Sequence, residues 1–370
     1  MKFTIARSEL AALMGKIQSV VSAKPAIPIL ANILIEAYAD QIILSATDLT
    51  VSVRAFADAK VYAEGAMTVP AKHFFQLIRE LTTPQIEVDA SSDETVHITA
   101  GSSRFKINGM NKSEFPTLPD FGDASSFTIH GDLLKTLLGK TAFAAARDDS
   151  RQVLNGILMH VQGNLLRFIA TDGKRLAKVG KEIDALIPEE GDYILPLKAV
   201  EEIVRTLDSE CDAKVMMGED KIAIESGNVT FMTKLLSGDY PDIERVIPQS
   251  APLKVHLHRD ELMSCLKQVS LFTTDRSHSV RFQFAPGELT LMAASSDLGE
   301  GSVSMPVDYS GAVLEIAFNP NYFLDILRHT KDETVHFALS DPYNPGMVTD
   351  SAAAQFVIMP MRIEQTANVA

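Results

Sequence analysis

Three groups of residues in this sequence have types and spacings from which chemistry could be built. Gly139, Lys140 and Thr141 match the end of a phosphate-binding loop, in which backbone N–H groups and a lysine hold phosphate oxygens. The preceding Gly131 lies too far upstream for that loop and falls within a helical pattern. We therefore expect no nucleotide site here.

The second and third groups are a histidine pair and two aspartates. His256 and His258 alternate on an expected strand, but no Cys, Asp or third His stands at a supporting spacing, so we expect a solvent-facing pair and no metal. Asp48 and Asp172 each follow a threonine, where an Asp side chain typically closes a turn. Because no catalytic motif is recognisable either, the sequence predicts a binding protein without catalytic residues or cofactor.

The elements that position these residues recur three times, about every 125 residues. Each copy opens with an alternating strand that runs into an amphipathic helix, at Phe3, Phe127 and Val255. A proline then starts a second helix in each copy. These prolines are Pro70, Pro196 and Pro320.

The repeat predicts three α+β domains, in which helices cover one face of antiparallel sheet. Polar, proline-bearing connectors place the domains at residues 1–124, 125–252 and 253–370, with a mobile tail at 364–370. In the first copy, Ser8 is expected to cap the first helix.

Composition limits the class of protein. The chain has 370 residues, 46% of them hydrophobic and 22% charged, as in ordinary globular domains. Cys211 and Cys265 have no paired spacing and are interpreted as packing residues in a reducing compartment. With neither a signal-peptide pattern nor a stretch long enough to span a bilayer, we expect a cytoplasmic protein. The net charge of -14 argues against nucleic acid as a partner unless the basic residues are clustered.

Basic residues recur at matching helix positions of the first two copies. Any one of them has an ordinary explanation, because solvated helix faces usually carry Lys and Arg. If the helices lined a concave side, however, these side chains would form a basic stripe. The matched pairs are Lys16 and Lys140, Lys72 and Lys198, and Arg79 and Arg205.

Two segments are candidates for a binding surface: residues 171–176 and the apolar run 356–363, with Met359 and Met361. The apolar run is also explained as a core strand that ends the last domain. Methionine is flexible and polarizable, which suits a groove that accepts several partners. Both interpretations stay open from the residues alone.

At these residues the chain resembles the bacterial DNA polymerase III beta subunit, the sliding clamp, over essentially its whole length. The most specific stretches are Thr171-Asp-Gly-Lys-Arg-Leu176 and Met359-Pro-Met-Arg362. Further matching stretches are Met1–Thr4, Ile27–Leu30, Thr47–Leu49, Val69–Ala71, Arg104–Phe105, Phe115–Pro116, Leu154–Gly156, Tyr240–Asp242 and Tyr309–Gly311.

The resemblance implies a fold and a function. In this family two three-domain chains close head to tail into a ring, with helices lining the hole and sheets outside. The ring encircles double-stranded DNA without reading its sequence and tethers the replicative polymerase, and it performs no chemistry. A cleft between the second and third domains accepts peptides from the polymerase III alpha subunit, the clamp loader delta subunit, other polymerases and mismatch-repair proteins.

The resemblance also implies site residues. Val153, where many clamps have a large aromatic residue, and Lys174, where many have another basic residue, suggest a different peptide preference. The implied cleft comprises Leu154, Thr171, Gly173, Lys174, Arg175, Leu176, Pro241, Arg245, Val246, Val357, Ile358, Met359, Pro360, Met361, Arg362 and Ile363. The implied DNA contacts are Lys24, Lys72, Arg147, Gln152 and Lys198, to which the repeat of basic positions adds Arg79 and Arg205. The implied dimer contacts are Phe105 and Ile107 with Leu271 and Phe272 of the other chain.

Two other functions, an enzyme and a monomeric scaffold, make sequence predictions that differ from those of a clamp. An enzyme would need titratable groups clustered near Asp172 and Arg175, and the apolar character of the implied cleft opposes it. A monomeric peptide-binding scaffold is possible if Phe105 and Phe272 do not self-associate.

Overall fold

The computed structural model of the chain describes most of its residues. Lys24, Ile363 and the tail 364–370, on which predictions were made, lie outside the described residues. The described ranges are 1–21, 25–90, 94–122, 124–184, 187–248, 251–274 and 278–362.

Each third of the chain contains the same succession of elements. The first comprises β1 (Lys2–Ala6), α1 (Arg7–Ile17), β2 (Asn32–Tyr38), β3 (Gln41–Thr47), β4 (Val51–Asp58), β5 (Lys60–Ala63), β6 (Gly65–Pro70), α2 (Ala71–Glu80), β7 (Gln85–Ala90), β8 (Thr95–Ala100) and β9 (Ser103–Asn108). The second comprises β10 (Ser125–His130), α3 (Gly131–Ala142), β11 (Gly156–Gln162), β12 (Leu165–Thr171), β13 (Arg175–Glu182), β14 (Gly191–Pro196), α4 (Leu197–Thr206), β15 (Asp212–Met217), β16 (Lys221–Ser226) and β17 (Val229–Lys234). The last comprises β18 (Leu253–His258), α5 (Arg259–Val269), β19 (Val280–Ala285), β20 (Glu288–Ser295), β21 (Gly299–Pro306), β22 (Leu314–Phe318), α6 (Pro320–His329), β23 (Thr334–Leu339), β24 (Gly346–Thr349) and β25 (Gln355–Ile358).

The strands of each third form two antiparallel sets. The first strand of a third pairs in order with its last three strands, and we call these four the flanking set. The strands between the two helices form the middle set, apart from β5, which pairs with β1. The predicted order of strand, helix, strands, helix, strands and the predicted α+β class are therefore confirmed.

The chain divides into two compact units whose boundaries do not follow the repeat, because residues of the second third belong partly to each unit. The first unit, residues 1–135, 184–189 and 198–236, holds both sets of the first third and the flanking set β10-β15-β16-β17. Within it, β17 pairs antiparallel with β4, so that eight strands form one sheet. Buried apolar residues of α1 and α2, among them Leu10, Met14 and Phe74, belong to its core.

The second unit, residues 136–183, 190–197 and 237–370, holds the middle set of the second third and both sets of the last third. Here β25 pairs antiparallel with β13 and again joins eight strands into one sheet. The predicted domain boundaries at 124/125 and 252/253 stay a prediction, because these units do not follow the repeat.

The predicted cap of the first helix is wrong. The helix begins at Arg7, its N-cap is Ala6, and Ser8 lies inside the first turn. The Arg7 N–H donates to the carbonyl oxygen of Pro84 at 2.9 Å, so a neighbouring strand connection satisfies a backbone donor at this helix start.

One buried ion pair fixes the turn before β25 in the second unit. Lys140 on α3 pairs with Asp350, and their side chains are 11% and 1% exposed. The other Asp350 oxygen accepts the N–H groups of Ala352 and Ala354, each at 3.0 Å. A charge held this deeply depends on its partner, because it has no water to replace it.

We expect Lys140→Met to lower the free energy of unfolding by about 3–5 kcal/mol, because it leaves the Asp350 carboxylate buried and unpaired. The double variant Lys140→Met/Asp350→Asn should recover most of this loss, since the amide oxygen still accepts the turn N–H groups. Urea unfolding of both variants measures the difference. A single variant as stable as the unmodified chain would show that the pair does not hold this turn.

Candidate functional site

A tight turn between β12 and β13 presents the most specific sequence motif. The Asp172 carboxylate accepts the N–H groups of Lys174 and Arg175 at 2.9 and 3.0 Å. The Thr171 hydroxyl accepts the Gly173 N–H at 3.1 Å and donates to the Arg175 carbonyl oxygen at 2.6 Å. Gly173 has φ of 81°, which glycine adopts without steric cost.

The equivalent turn of the first third has the same bonds. The Asp48 carboxylate accepts the N–H groups of Thr50 and Val51 at 2.9 and 2.7 Å, and the Thr47 hydroxyl accepts the Leu49 N–H at 3.0 Å. Leu49 adopts φ of 77° where the second turn has glycine. The interpretation of Asp48 and Asp172 as turn residues is confirmed.

The Arg175 guanidinium is held by three protein acceptors. It donates to Asp172 at 3.1 Å, to Asp325 on α6 at 2.6 Å and to the carbonyl oxygen of Phe143 at 2.6 Å. It also lies 4.7 Å from the centre of the Tyr322 ring, where a cation is attracted by the ring face. Burial, with the nearby Asp172 charge, raises the pKa of the Tyr322 hydroxyl. Arg175 therefore ties the turn to α6 and to the segment that follows α3.

A cavity of about 140 Å³ lies beside the paired strands β13 and β25. Its apolar surface includes the buried side chains of Leu154, Leu176 and Val357, while Val246 and Met359 are 42% and 40% exposed. The lining residues are Arg151, Leu154, Thr171, Gly173, Arg175, Leu176, Pro241, Asp242, Ile243, Val246, Val357 and Met359. Apolar surface with a few polar groups is typical of a ligand site.

Nine of the cleft residues implied by the resemblance line this cavity. They are Leu154, Thr171, Gly173, Arg175, Leu176, Pro241, Val246, Val357 and Met359. Six others are described but do not line it. These are Lys174, Arg245, Ile358, Pro360, Met361 and Arg362, whose part in a binding surface stays a prediction.

Three lining residues were missed by sequence reasoning: Arg151, Asp242 and Ile243. The Arg151 fork donates to both oxygens of Asp149, each at 3.1 Å, and these hydrogen bonds hold the pKa of the Asp149 carboxyl below its usual value. Asp242 belongs to the Tyr240–Asp242 motif, which offered a signal. Nothing local in the sequence indicates that Arg151 reaches the cavity.

The apolar run at 356–363 is only partly a core strand. Residues 356–358 are buried in β25, which ends at Ile358. Met359 then donates its N–H to the Lys174 carbonyl oxygen at 2.9 Å, and Met361 to that of Ala317 at 2.7 Å. The chain thus leaves the sheet at the cavity and exposes Met359 there.

The candidate DNA-binding side chains have different settings. Lys72 and Arg79 on α2, and Lys198 and Arg205 on α4, are exposed in the first unit, with the same spacing of two helical turns in each helix. Arg147 and Gln152 are exposed in the second unit. The inclusion of Lys140 in a basic stripe is wrong, because its ammonium group is buried against Asp350.

The candidate dimer contacts lie on, or next to, a strand at the edge of a sheet. Phe105 and Ile107 are on β9, the last strand of its sheet, and Phe105 is 37% exposed. Leu271 is 75% exposed in the short 3-10 helix 270–272. The neighbouring Phe272 packs against Gly301 on β21, the last strand of its own sheet.

The remaining candidates for chemistry stay outside any site. His256 and His258 are solvent-facing, as expected. Cys265 is buried on α5, as the packing interpretation predicts. Cys211 is half-buried, with its Sγ 3.5 Å from an Asp208 oxygen, and its packing role stays a prediction. Over the described ranges, no three His, Cys, Asp or Glu side chains are grouped as metal ligands. No helix in the same ranges is long and apolar enough to cross a membrane.

Comparison with known proteins identifies the family. Family models of the DNA polymerase III beta subunit match with the N-terminal domain at residues 1–119, the central domain at 128–242 and the C-terminal domain at 244–362. The beta sliding clamp of Chlamydia pneumoniae is 50% identical over 363 residues, 98% of this chain and 99% of that protein. The chain belongs to the beta sliding clamp family.

Solved clamp structures agree in fold. A sliding clamp from Pseudomonas aeruginosa bound to griselimycin is 31% identical, with a TM-score of 0.93 over 98% of this chain and 100% of the other. One from Bartonella birtlesii, also bound to griselimycin, is 33% identical, with the same TM-score and coverage. The three repeats are therefore three tandem clamp domains, and this chain functions as a sliding clamp.

We expect Arg175→Lys to lower the free energy of unfolding by about 1.5–3 kcal/mol, because an ammonium group cannot donate to the same three acceptors as the planar guanidinium group. Arg245→Lys is the matched control. Its ion pair with Asp242 is 85% and 56% exposed, and the change should stay below about 1 kcal/mol. Denaturant unfolding measures both variants. An equal loss of unfolding free energy in the two would contradict the inference that Arg175 holds the turn against α6.

Proposed function

We propose that two copies of this chain close head to tail around duplex DNA and tether a replicative polymerase through the cavity beside β13 and β25. The observation that carries the proposal is this cavity, which brings together nine family cleft residues in a chain matched by clamp models along its length. The chain acts as a non-catalytic subunit in the cytoplasm.

The cavity suits an extended peptide. Its buried leucines and valine can take apolar side chains, and the exposed Met359 and Val246 can adjust to different ones. The polymerase alpha subunit, the clamp loader delta subunit, other polymerases and mismatch-repair proteins would dock here in turn. Griselimycin, which two related clamps bind, would occupy the same cavity.

The strand pairing supports a head-to-tail dimer. Twice within the chain, the last flanking strand of one third pairs with the third strand of the middle set of the preceding third: β17 with β4, and β25 with β13. By the same rule β9 of one copy pairs with β21 of another. Arg104 and Lys106 on β9 are exposed, as is Glu300 on β21, so their charges are complementary.

DNA would be held by charge and topology without base recognition. The exposed pairs on α2 and α4 repeat at one spacing, which suits contacts with a regular phosphate backbone. A monomeric scaffold or an enzyme has no comparable support, because the comparisons name clamps and the cavity is largely apolar.

The test of enclosure compares two DNA topologies. After treatment with a clamp loader, the chain should be retained on nicked circular plasmid and lost once the plasmid is linearised. Native mass should show a dimer. Equal retention on both forms would contradict topological binding.

In a separate titration with short duplex DNA, Lys72→Glu/Lys198→Glu should weaken binding and lower the slope of log K against log salt by about 2, one for each lost phosphate contact. Griselimycin affinity should not change. Lys214→Glu, a change at an exposed lysine of β15, is the control. An unchanged salt slope would remove α2 and α4 from the DNA interface.

We expect Gly173→Leu to weaken griselimycin binding by about tenfold or more, because a side chain at Gly173 enters a small cavity and meets Arg151 at 3.3 Å. Leu49 shows that leucine can adopt this turn conformation. Gly163→Leu is the matched control, since Gly163 also has positive φ, at 59°, but open space around it. Fluorescence titration of labelled griselimycin measures both, and equal affinity of the two variants would contradict the cleft assignment.

A further inference from the structure

The cavity has two walls that come from distant parts of the chain. One is the turn at 171–175, and the other is the segment 241–246 that leads into the last third. A ligand between such walls keeps its contacts only if their separation is fixed. The bonds that cross from one wall to the other therefore decide how well the cavity is preorganised.

Two side-chain bonds connect the strands on either side of the turn, β12 and β13, with residues 240–246 in the described structure. The Tyr240 hydroxyl accepts the Thr171 N–H at 3.1 Å, immediately before Pro241 in the wall. At the other end, Lys178 on β13 donates to Glu244 at 2.6 Å.

The two bonds differ in their expected strength. Glu244 is 65% exposed, so its ion pair with Lys178 competes with water and salt. The Tyr240 hydroxyl lies at a partly buried backbone donor, where a lost partner is not easily replaced. Burial raises the pKa of the Tyr240 hydroxyl.

The first third of the chain lacks this bond. It has Phe115-Pro116 where the second has Tyr240-Pro241, and phenylalanine has no hydroxyl. Phe115 instead packs into a buried cluster with Leu30 and Leu34. The hydroxyl thus occurs at the junction that has the cavity.

We propose that Tyr240 is a positioning residue for the ligand of this cavity: its hydroxyl fixes the wall 241–246 against the turn at Thr171. The inference rests on the proposed function of the cleft. Tyr240 acts through the Thr171 N–H and Pro241, without contacting the ligand itself.

The test removes one oxygen atom. Tyr240→Phe should weaken griselimycin affinity about threefold to tenfold, mainly through faster dissociation, because the wall separates more easily. The Thr171 amide should exchange with solvent faster, a readout that a general loss of stability does not confine to this position. Native mass should still show the dimer.

Tyr309→Phe is the matched control. The Tyr309 hydroxyl donates to the Ala312 carbonyl oxygen at 2.6 Å, in the same unit but outside the cavity lining. Unchanged affinity in Tyr240→Phe, or an equal loss in Tyr309→Phe, overturns the inference. Failure of the unmodified chain to bind griselimycin, with plasmid retention intact, instead overturns the cleft assignment and the role of Tyr240 with it.

Discussion

The rest of the structure depends on one backbone constraint: the last flanking strand of each third must find a partner strand. Exposed strand edges carry unpaired N–H and C=O groups and tend to pair with other chains. The pairs β17 with β4 and β25 with β13 meet this need inside the chain, and each creates an eight-stranded sheet. Of the strands equivalent to these partners, β9 of the first third and β21 of the last third stand at sheet edges without such a pairing in the described residues. The same constraint that builds the units therefore also favours a second copy.

The same pairing explains where the cavity lies. At β13 and β25 the register sets Arg175 opposite Ile358 and Leu176 opposite Val357, so the turn motif and the apolar run lie side by side. The junction at β4 and β17 has the same geometry but different side chains. Leu49 stands there in place of Gly173, and Phe115 in place of Tyr240. The cavity thus follows from small departures between repeats, on a backbone plan that does not change.

Local signals predicted the local structure well. The Thr-Asp turns were predictable because their hydrogen bonds join residues within four positions of one another. The cap at Ser8 was not, because the helix begins earlier, at Arg7, whose N–H donates to Pro84, far along the chain. Lys140 failed for the same reason: its position on a repeated helix indicated exposure, while Asp350 of the last third buries it. Arg151 lines the cavity because the folded chain brings it there, and no local sequence pattern indicates this. The cleft residues implied by the family resemblance did not include Arg151 either.

The acidity of the chain is compatible with DNA binding once the partners of the basic side chains are considered. Lys198 on α4 pairs with Asp48, whose other oxygen holds the turn before β4, and Arg205 pairs with Glu202. A phosphate that approaches these side chains must compete with carboxylates that are already in place. A phosphate contact with such a paired side chain therefore contributes less binding free energy than a contact with an unpaired cation, and breaking it costs less. Under the proposed function, such weak, sequence-independent contacts would suit a ring that moves along DNA, because enclosure and not affinity would retain it.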